Sequence, residues 1–459
     1  MNAGDTAWVL VSAALVLLMS PGLAIFYGGM TRVKSMLNMM MMSFGALAIV
    51  GVLWVTVGYS ISFGDDAFGG LFGNPFEFWG LHGLLSTGRD MPLVGSIPEI
   101  VFVGFQGVFA TVTVALVSGA IADRAKFGSW MVFAALWGVL VYFPVAHWVF
   151  DAKSDSHGTF IGGWLNHLGL IDFAGGTAVE VNAGAAGLAL AIVLGKRLGF
   201  GKDPNHRPHN LPLVMLGCGL LWFGWFGFNA GSALAANGVA AFAWINTLVA
   251  PCAAVLGWLI VEKIRDGHAT SLGAASGAVA GLVAITPACA AISPLWAIIL
   301  GVLAGAICAL AVGLKYRFGY DDSLDVVGVH MVGGVVGTLF IGLAAGPGAP
   351  SAGTGLFYGG GFDQLGKQAL GAFVVLGYSF VVSLLIALLI KVTIGFRVTT
   401  EAEEAGVDIA IHAETAYSSA SSSGNAFHPL GGKAAAEEIA RFNADDLLSD
   451  SAKSGKVTS

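Results

Sequence analysis

The sequence predicts an all-α integral membrane protein with eleven transmembrane helices, and three observations predict it. Of 459 residues, 56% are hydrophobic and only 11% are charged, whereas a soluble domain carries about 25% charged residues. Mean hydropathy is +0.80. Apolar runs long enough to cross the hydrocarbon layer, about 20 residues as a helix, recur eleven times, with most ionisable residues confined to the intervals between them. A cytosolic globule is excluded. The net charge of −7 comes mostly from residues beyond 400, so the near-neutral body offers no nucleic-acid surface. Cys218, Cys252, Cys289 and Cys308 lie in apolar stretches without paired spacing, which suggests neither a disulfide framework nor a zinc site.

The runs are bounded by charge. The first, 8–30, stops at Arg32 and Lys34; with Asp5 and no basic residue ahead of it, it reads as a retained helix rather than a cleavable signal. The second, 37–62, ends before Asp65 and Asp66, and the third, 100–121, lies between Glu99 and Arg124. The fourth, 127–150, closes at Asp151, and the fifth, 173–195, runs from Asp172 to Lys196 and Arg197. Runs 211–234 and 239–261 follow, the latter closed by Lys263 and Arg265. The last four are 271–287, 291–314 up to Lys315, 326–345 after Asp325, and 369–392 between Lys367 and Arg397.

An odd number of crossings puts the termini on opposite sides. Fourteen of the 21 Lys and Arg residues fall in one alternating set of loops and the exit of the last helix, against Arg89, Lys153 and Lys367 in the other set. Cytoplasmic loops carry the excess, so the N-terminus is expected outside and the C-terminus inside. The 67 glycines suit a tightly packed bundle, because small residues let helices in lipid approach closely. No nucleotide loop is present, since Gly333-Gly334 and the Gly184 to Gly187 stretch lack the Lys-Ser/Thr such a loop needs.

Transport proteins often contain two inverted halves meeting at a midplane site. Here Val179-Glu180 followed by Gly184 and Gly187 matches Val329-His330 followed by Gly334 and Gly337. Gly22, Phe26 and Gly29 likewise match Gly224, Phe228 and Gly231. The reading is an inverted repeat of helices 1–5 and 6–10 with helix 11 added outside it. Glu180 and His330 then occupy equivalent places. Glu180 is the sole ionisable group between Phe173 and Leu194, and a carboxylate at that depth is costly unless it faces an interior path. Together the two form a candidate proton relay. Asp172 opens the fifth helix and can accept backbone N–H groups there. Asp325 takes the corresponding place before the tenth, and both are expected to be structural.

Aromatic residues form the third group. Phe105 and Phe109 are one turn apart, and Trp225, Phe228 and Ser232 share a helix face. Such stripes usually pack, but ring faces also hold a weakly hydrated cation for roughly 0.5–2 kcal/mol each, with a hydroxyl accepting a hydrogen bond from it. No Ser or Cys nucleophile with a spaced base accompanies Glu180 and His330, and no metal triad is visible, so an intramembrane hydrolase is disfavoured. No cofactor is called for.

These residues resemble the ammonium transporter family (Amt/Mep/Rh), of the bacterial Amt type, over residues 8–417. The runs that carry the resemblance begin at Pro21, Phe105, Asp172, Gly224, Thr286 and Asp325, in family order. The resemblance implies eleven helices around a narrow apolar pore in each subunit of a homotrimer. It implies that Phe109, Phe228 and Ser232 recruit ammonium at the outer mouth, that Phe26, Phe105 and Trp225 form gate and pore wall, that Asp172 supports the site from beneath, and that His330 is the second of two pore histidines. Two positions depart from the pattern. Glu180 stands where the first pore histidine is usual, as in some fungal members, so the pair can share one proton. Phe150 stands where a third recruitment aromatic, usually Trp, is expected; Trp148 lies two residues earlier, on a different side of the helix.

The expected organisation is a transmembrane domain over 1–395, a family-type cytoplasmic tail over 396–417, and a Ser-rich extension over 418–459 with an amphipathic stretch at Ala434 to Leu448. The resemblance implies regulation through the tail by a PII-type protein. Two functions are consistent with these features: a cytoplasmic-membrane transporter that deprotonates ammonium and conducts ammonia, and an ammonium sensor reporting through the tail.

Overall fold

The computed structural model describes residues 1–417 apart from 87–90, 155–156, 203–206 and 352; the extension at 418–459, with its amphipathic stretch, lies outside the described residues, as do Arg89, Asp90 and Asp155. Ten long apolar helices match the expected runs: α1 (Ala3–Met30), α2 (Val33–Phe63), α3 (Glu99–Ile121), α4 (Phe127–Phe150), α5 (Gly176–Leu194), α6 (Leu211–Gly231), α7 (Gly238–Asp266), α9 (Pro294–Phe318), α10 (Val327–Ala344) and α11 (Asp363–Thr393). The remaining crossing, α8 (Ser271–Ile285), has only 15 residues, about 22 Å at 1.5 Å per residue. The chain continues from it through an irregular segment, 286–292, that is buried throughout. Non-helical backbone survives at such depth only inside protein with its polar groups paired. Asn246 of α7 provides this, its amide donating to the Cys289 and Ile292 carbonyls at 2.8 and 2.9 Å.

Helix α1 packs along α6, α7 lies between α8 and α9, and α11 packs against α5. Glycine makes these approaches possible. A Cβ on Gly217 of α6 would lie 2.5 Å from the Phe26 backbone nitrogen, and one on Gly305 of α9 would lie 2.1 Å from the Ala254 carbonyl oxygen of α7. Gly305→Val should therefore push α9 off α7. Overpacking of this kind costs about 1–3 kcal/mol, and it should be read as a lower melting temperature of the detergent-solubilised protein; an unchanged melting temperature would show that the two helices can separate freely.

At one end of the bundle a charged network ties helix ends to the tail. Arg197 pairs with Asp321 and Asp123 at 2.9 and 3.0 Å. Burial alone would push the Asp321 carboxyl up, but the adjoining Arg197 guanidinium holds it below the usual carboxylate range. Tail residue Glu403 accepts from Arg397 and from the Leu198 amide at 2.6 and 2.7 Å. Asp408 accepts from the Leu37 and Asn38 amides. His412 lies 3.0 Å from the Asn38 side chain, and the Tyr417 hydroxyl lies 3.2 Å from His209. At the opposite end, a small hairpin of β1 (Leu93–Val94) and β2 (Ile97–Pro98) leads into α3.

Candidate functional site

Helices α5 and α10 begin in the same uncommon way. Gly175 and Asp325 hold φ of +115° and +63°, and each precedes a π-helical turn, Gly176–Val181 and Val327–Met331. Such turns rotate a side chain out of the regular helical register and are frequent at functional sites. Glu180 and His330 sit inside them.

The Asp172 carboxylate accepts four backbone N–H groups, from Gly175, Gly176, Thr177 and Ala178, at 2.7 to 3.0 Å. Burial pushes this carboxyl up, while the four donors pull the other way. The expectation that Asp325 repeats this role is corrected by the structure: Asp322 accepts from Val326 and Val327 at 3.1 and 2.7 Å. Asp325 instead occupies the left-handed residue's place, equivalent to Gly175, and its carboxylate pairs with Lys315 at 2.7 Å. The reason is geometric. A carboxylate can reach the first free N–H groups only from outside the turn, and Asp325 is already part of it. Glu180 and His330 are separated by 150 positions, and the same offset from Asp172 gives Asp322.

His330 Nδ1 lies 2.6 Å from Glu180 Oε2, and both side chains are buried. With the carboxylate ionised, Nδ1 is the donor, which leaves Nε2 as the ring nitrogen able to exchange a proton. Glu180 Oε1 has no hydrogen-bond partner among the described residues. Both side chains border an otherwise apolar cavity of about 350 Å³, walled by residues such as Phe26, Val112, Leu116, Trp225, Phe228 and Val279. A second cavity, of about 260 Å³, shares Phe26, Val279 and His330 with the first and continues to Leu324 and Asp325. His330 thus borders both cavities.

The aromatic residues divide. Phe109 and Phe228 stack face to face, with centroids 4.0 Å apart and planes at 19°. Phe26 and Trp225 line the cavity. Phe105 does not; it packs against Phe109 at 4.9 Å, in the space a side chain on Gly231 would take. The Trp225 indole N–H donates to Thr286 Oγ1 at 2.7 Å, which fixes the ring at the wall. The Ser232 hydroxyl donates to the Phe228 carbonyl at 2.8 Å and keeps its lone pairs as acceptors. Phe150, half-buried at the end of α4, lies 3.5 Å from a Cβ placed on Gly175. Trp148 points elsewhere, its indole donating to the Leu71 carbonyl.

Sequence reasoning missed three supporting residues. Asp322 was accessible through the 150-residue offset. Thr286 and Gln368 were not: Gln368 of α11 clasps both backbone groups of Ile171 and the Thr338 carbonyl at 2.7 to 3.1 Å, a partnership between distant segments with no local signature.

A helical bundle of this kind, enclosing an apolar cavity with a buried acid–imidazole pair, has the form of a multi-pass membrane transport protein. The ammonium transporter family model matches residues 7–417, and the chain belongs to that family, whose members are transporters rather than enzymes. An ammonium transporter of Mycobacterium tuberculosis (strain H37Rv) is 58% identical over 449 residues, covering 93% of each chain. One from Aquifex aeolicus is 46% identical over 422 residues, covering 91% of this chain and 94% of its own. Among solved structures, Saccharomyces cerevisiae Mep2 superposes with a TM-score of 0.79 at 34% identity, covering 87% of this chain and 88% of that one. A sensor Amt protein superposes with a TM-score of 0.79 at 30% identity, covering 89% and 98%.

Proposed function

We propose that this ammonium transporter works by recruiting ammonium at an outer aromatic site, removing its proton, and passing ammonia through the apolar conduit while Glu180 and His330 carry the proton. The carrying observation is the 2.6 Å contact between those two side chains on the wall of a cavity that is otherwise hydrocarbon and aromatic. A charged guest loses its hydration on entering such a space, and ring faces compensate only in part. Deprotonation removes the penalty, provided an acceptor lies within reach. Glu180, in place of a first pore histidine, has a carboxylate oxygen without a partner among the described residues, and His330 Nε2 offers a second acceptor.

Phe109, Phe228, Ser232 and Phe150 form the recruitment site in this reading, with Phe26 and Trp225 as the wall and Phe105, packed against Phe109, as part of the gate. The stacked Phe109 and Phe228 rings separate the recruitment site from the cavity, so entry requires them to part. Asp172 and Asp325 act through structure. Phe150 presents a ring face but no indole donor, which weakens cation attraction relative to Trp. The chain sits in the cytoplasmic membrane with its N-terminus outside, following the basic loops, and assembles as a homotrimer. The docked tail, residues 396–417, offers a surface for a PII-type protein.

The second reading is a sensor, favoured by the likeness to a solved sensor Amt protein and by the tail's many contacts with the helix ends. Currents recorded from purified protein on a solid-supported membrane separate the two. Transport predicts a sustained ammonium-evoked charge movement, in proportion to nitrogen moved, whereas a sensor would bind ammonium with no flux.

A further inference from the structure

A buried titratable group lies outside the conduit, at the end of α4 that carries Phe150. His147 is fully buried. Its Nδ1 is 3.2 Å from the Ser62 carbonyl oxygen of α2; a carbonyl only accepts, so Nδ1 bears the hydrogen. Two carboxylates flank the same ring, with Asp151 Oδ2 at 3.3 Å from Nδ1 and Asp66 Oδ1 at 3.8 Å from Nε2. Neither His147 Nε2 nor Asp151 Oδ2 has a hydrogen-bond partner among the described residues. A neutral ring therefore points a bare lone pair at a carboxylate, with a second buried carboxylate behind it. An added proton relieves the first conflict on Nε2, where it bridges to Asp66, and the second on Asp151, where it neutralises the buried carboxylate.

We propose that His147, Asp66 and Asp151 form a proton-binding site on the outer face, which ties the loop after α2 to the end of α4 when occupied and so keeps Phe150 in place. That the consequence falls on ammonium recruitment rests on the proposed function; the proton site itself does not. Among the described residues the charges around the ring are few. On the loop after α2 they are Asp66, Asp65 and Glu77; on the segment after α4 they are Asp151 and Lys153, and Lys153 is engaged by Asp65 and Glu77. Burial pushes the Asp151 carboxyl up to about 7, with Lys153 pulling the other way. The couple therefore takes up its proton as external pH falls through neutrality, and the tie is lost as pH rises.

The bond pattern shows what the tie holds. Asp66 accepts from the Phe68 and Gly70 amides and donates its own amide to the Ile161 carbonyl, while Trp148 donates to Leu71. The loop after α2 and the segment after α4 are thus one interlocked lobe with the titrating ring inside it. Above the transition the buried Asp151 and the partly exposed Asp66 carry like charges across His147, and the lobe loosens beneath Phe150.

Infrared difference spectra of the full-length protein in vesicles, recorded without ammonium across about pH 5.5–8.5, test the site. A protonated-carboxyl band should grow on acidification with a midpoint near neutrality, disappear in Asp151→Asn, and shift in His147→Gln, which keeps a donor for Ser62. It should persist in Glu180→Gln, which separates this site from the conduit. In currents, the apparent KM for ammonium of the wild type should rise about fivefold or more toward the alkaline end. Asp66→Asn and His147→Gln should flatten that rise with little change in maximal current. A band retained in Asp151→Asn, or wild-type KM profiles in both of the other variants, would overturn the proposal.

Discussion

Glu180→Gln and His330→Ala are each expected to reduce ammonium-evoked current by about 100-fold or more, the scale of a lost general acid–base group. Gln keeps the volume of Glu180 but cannot hold a proton, so the guest loses one of its two acceptors and His330 loses the partner that would take the proton on. His330→Ala removes the partner bonded at 2.6 Å and leaves the Glu180 carboxylate alone beside the cavity, where an unpaired charge is costly. The two losses should be strongly non-additive, because the residues act as one unit. Currents from vesicles holding equal amounts of folded protein measure this. Unchanged current and selectivity in both variants would remove the relay role and leave the transporter intact.

The second large effect is expected at Asp172. Replacement by Ala orphans four buried N–H groups at the start of α5. Each unsatisfied donor costs about 1–3 kcal/mol, so the turn that presents Glu180 should unwind. Asp172→Ala is expected to lower the melting temperature sharply and abolish current. Asp172→Asn, which keeps one acceptor oxygen, should fall between it and the wild type. A stable, conducting Ala variant would show that the π-helical turn holds itself without the carboxylate.

All eleven crossings were legible in the sequence because lipid leaves the backbone few options: polar groups must pair within a helix, and about 20 apolar residues are needed to cross. The repeat was legible as well, through Val179-Glu180 and Val329-His330, and the structure brings those two residues into contact. What local patterns could not show was which acid caps α10. Asp322, Asp325 and Asp321 crowd together in sequence, and only the left-handed backbone at Asp325 and the reach of Lys315 decide that Asp322 takes the role. The short α8 was equally hidden. Its run reads as a full crossing, yet its helix stops at Ile285 and gives way to buried irregular backbone made tolerable by Asn246, a residue some 40 positions away.

For the aromatic residues, helical spacing shows which rings share a face, and it groups Phe105 with Phe109 and Trp225 with Phe228. It does not show which ring meets the lumen. Phe105 packs against Phe109 rather than on the cavity wall, while Thr286 pins Trp225 in place. The sequence by itself therefore determined the membrane, the number of crossings and the pairing of an acid with an imidazole, since these follow from hydropathy and from the cost of burying charge. Only the tertiary structure decided the 2.6 Å contact, the pairing of Asp325 with Lys315, and which side chains wall the cavity. Those depend on how close helices from distant parts of the chain can come, and that is set by glycine surfaces and buried hydrogen bonds that no single segment contains.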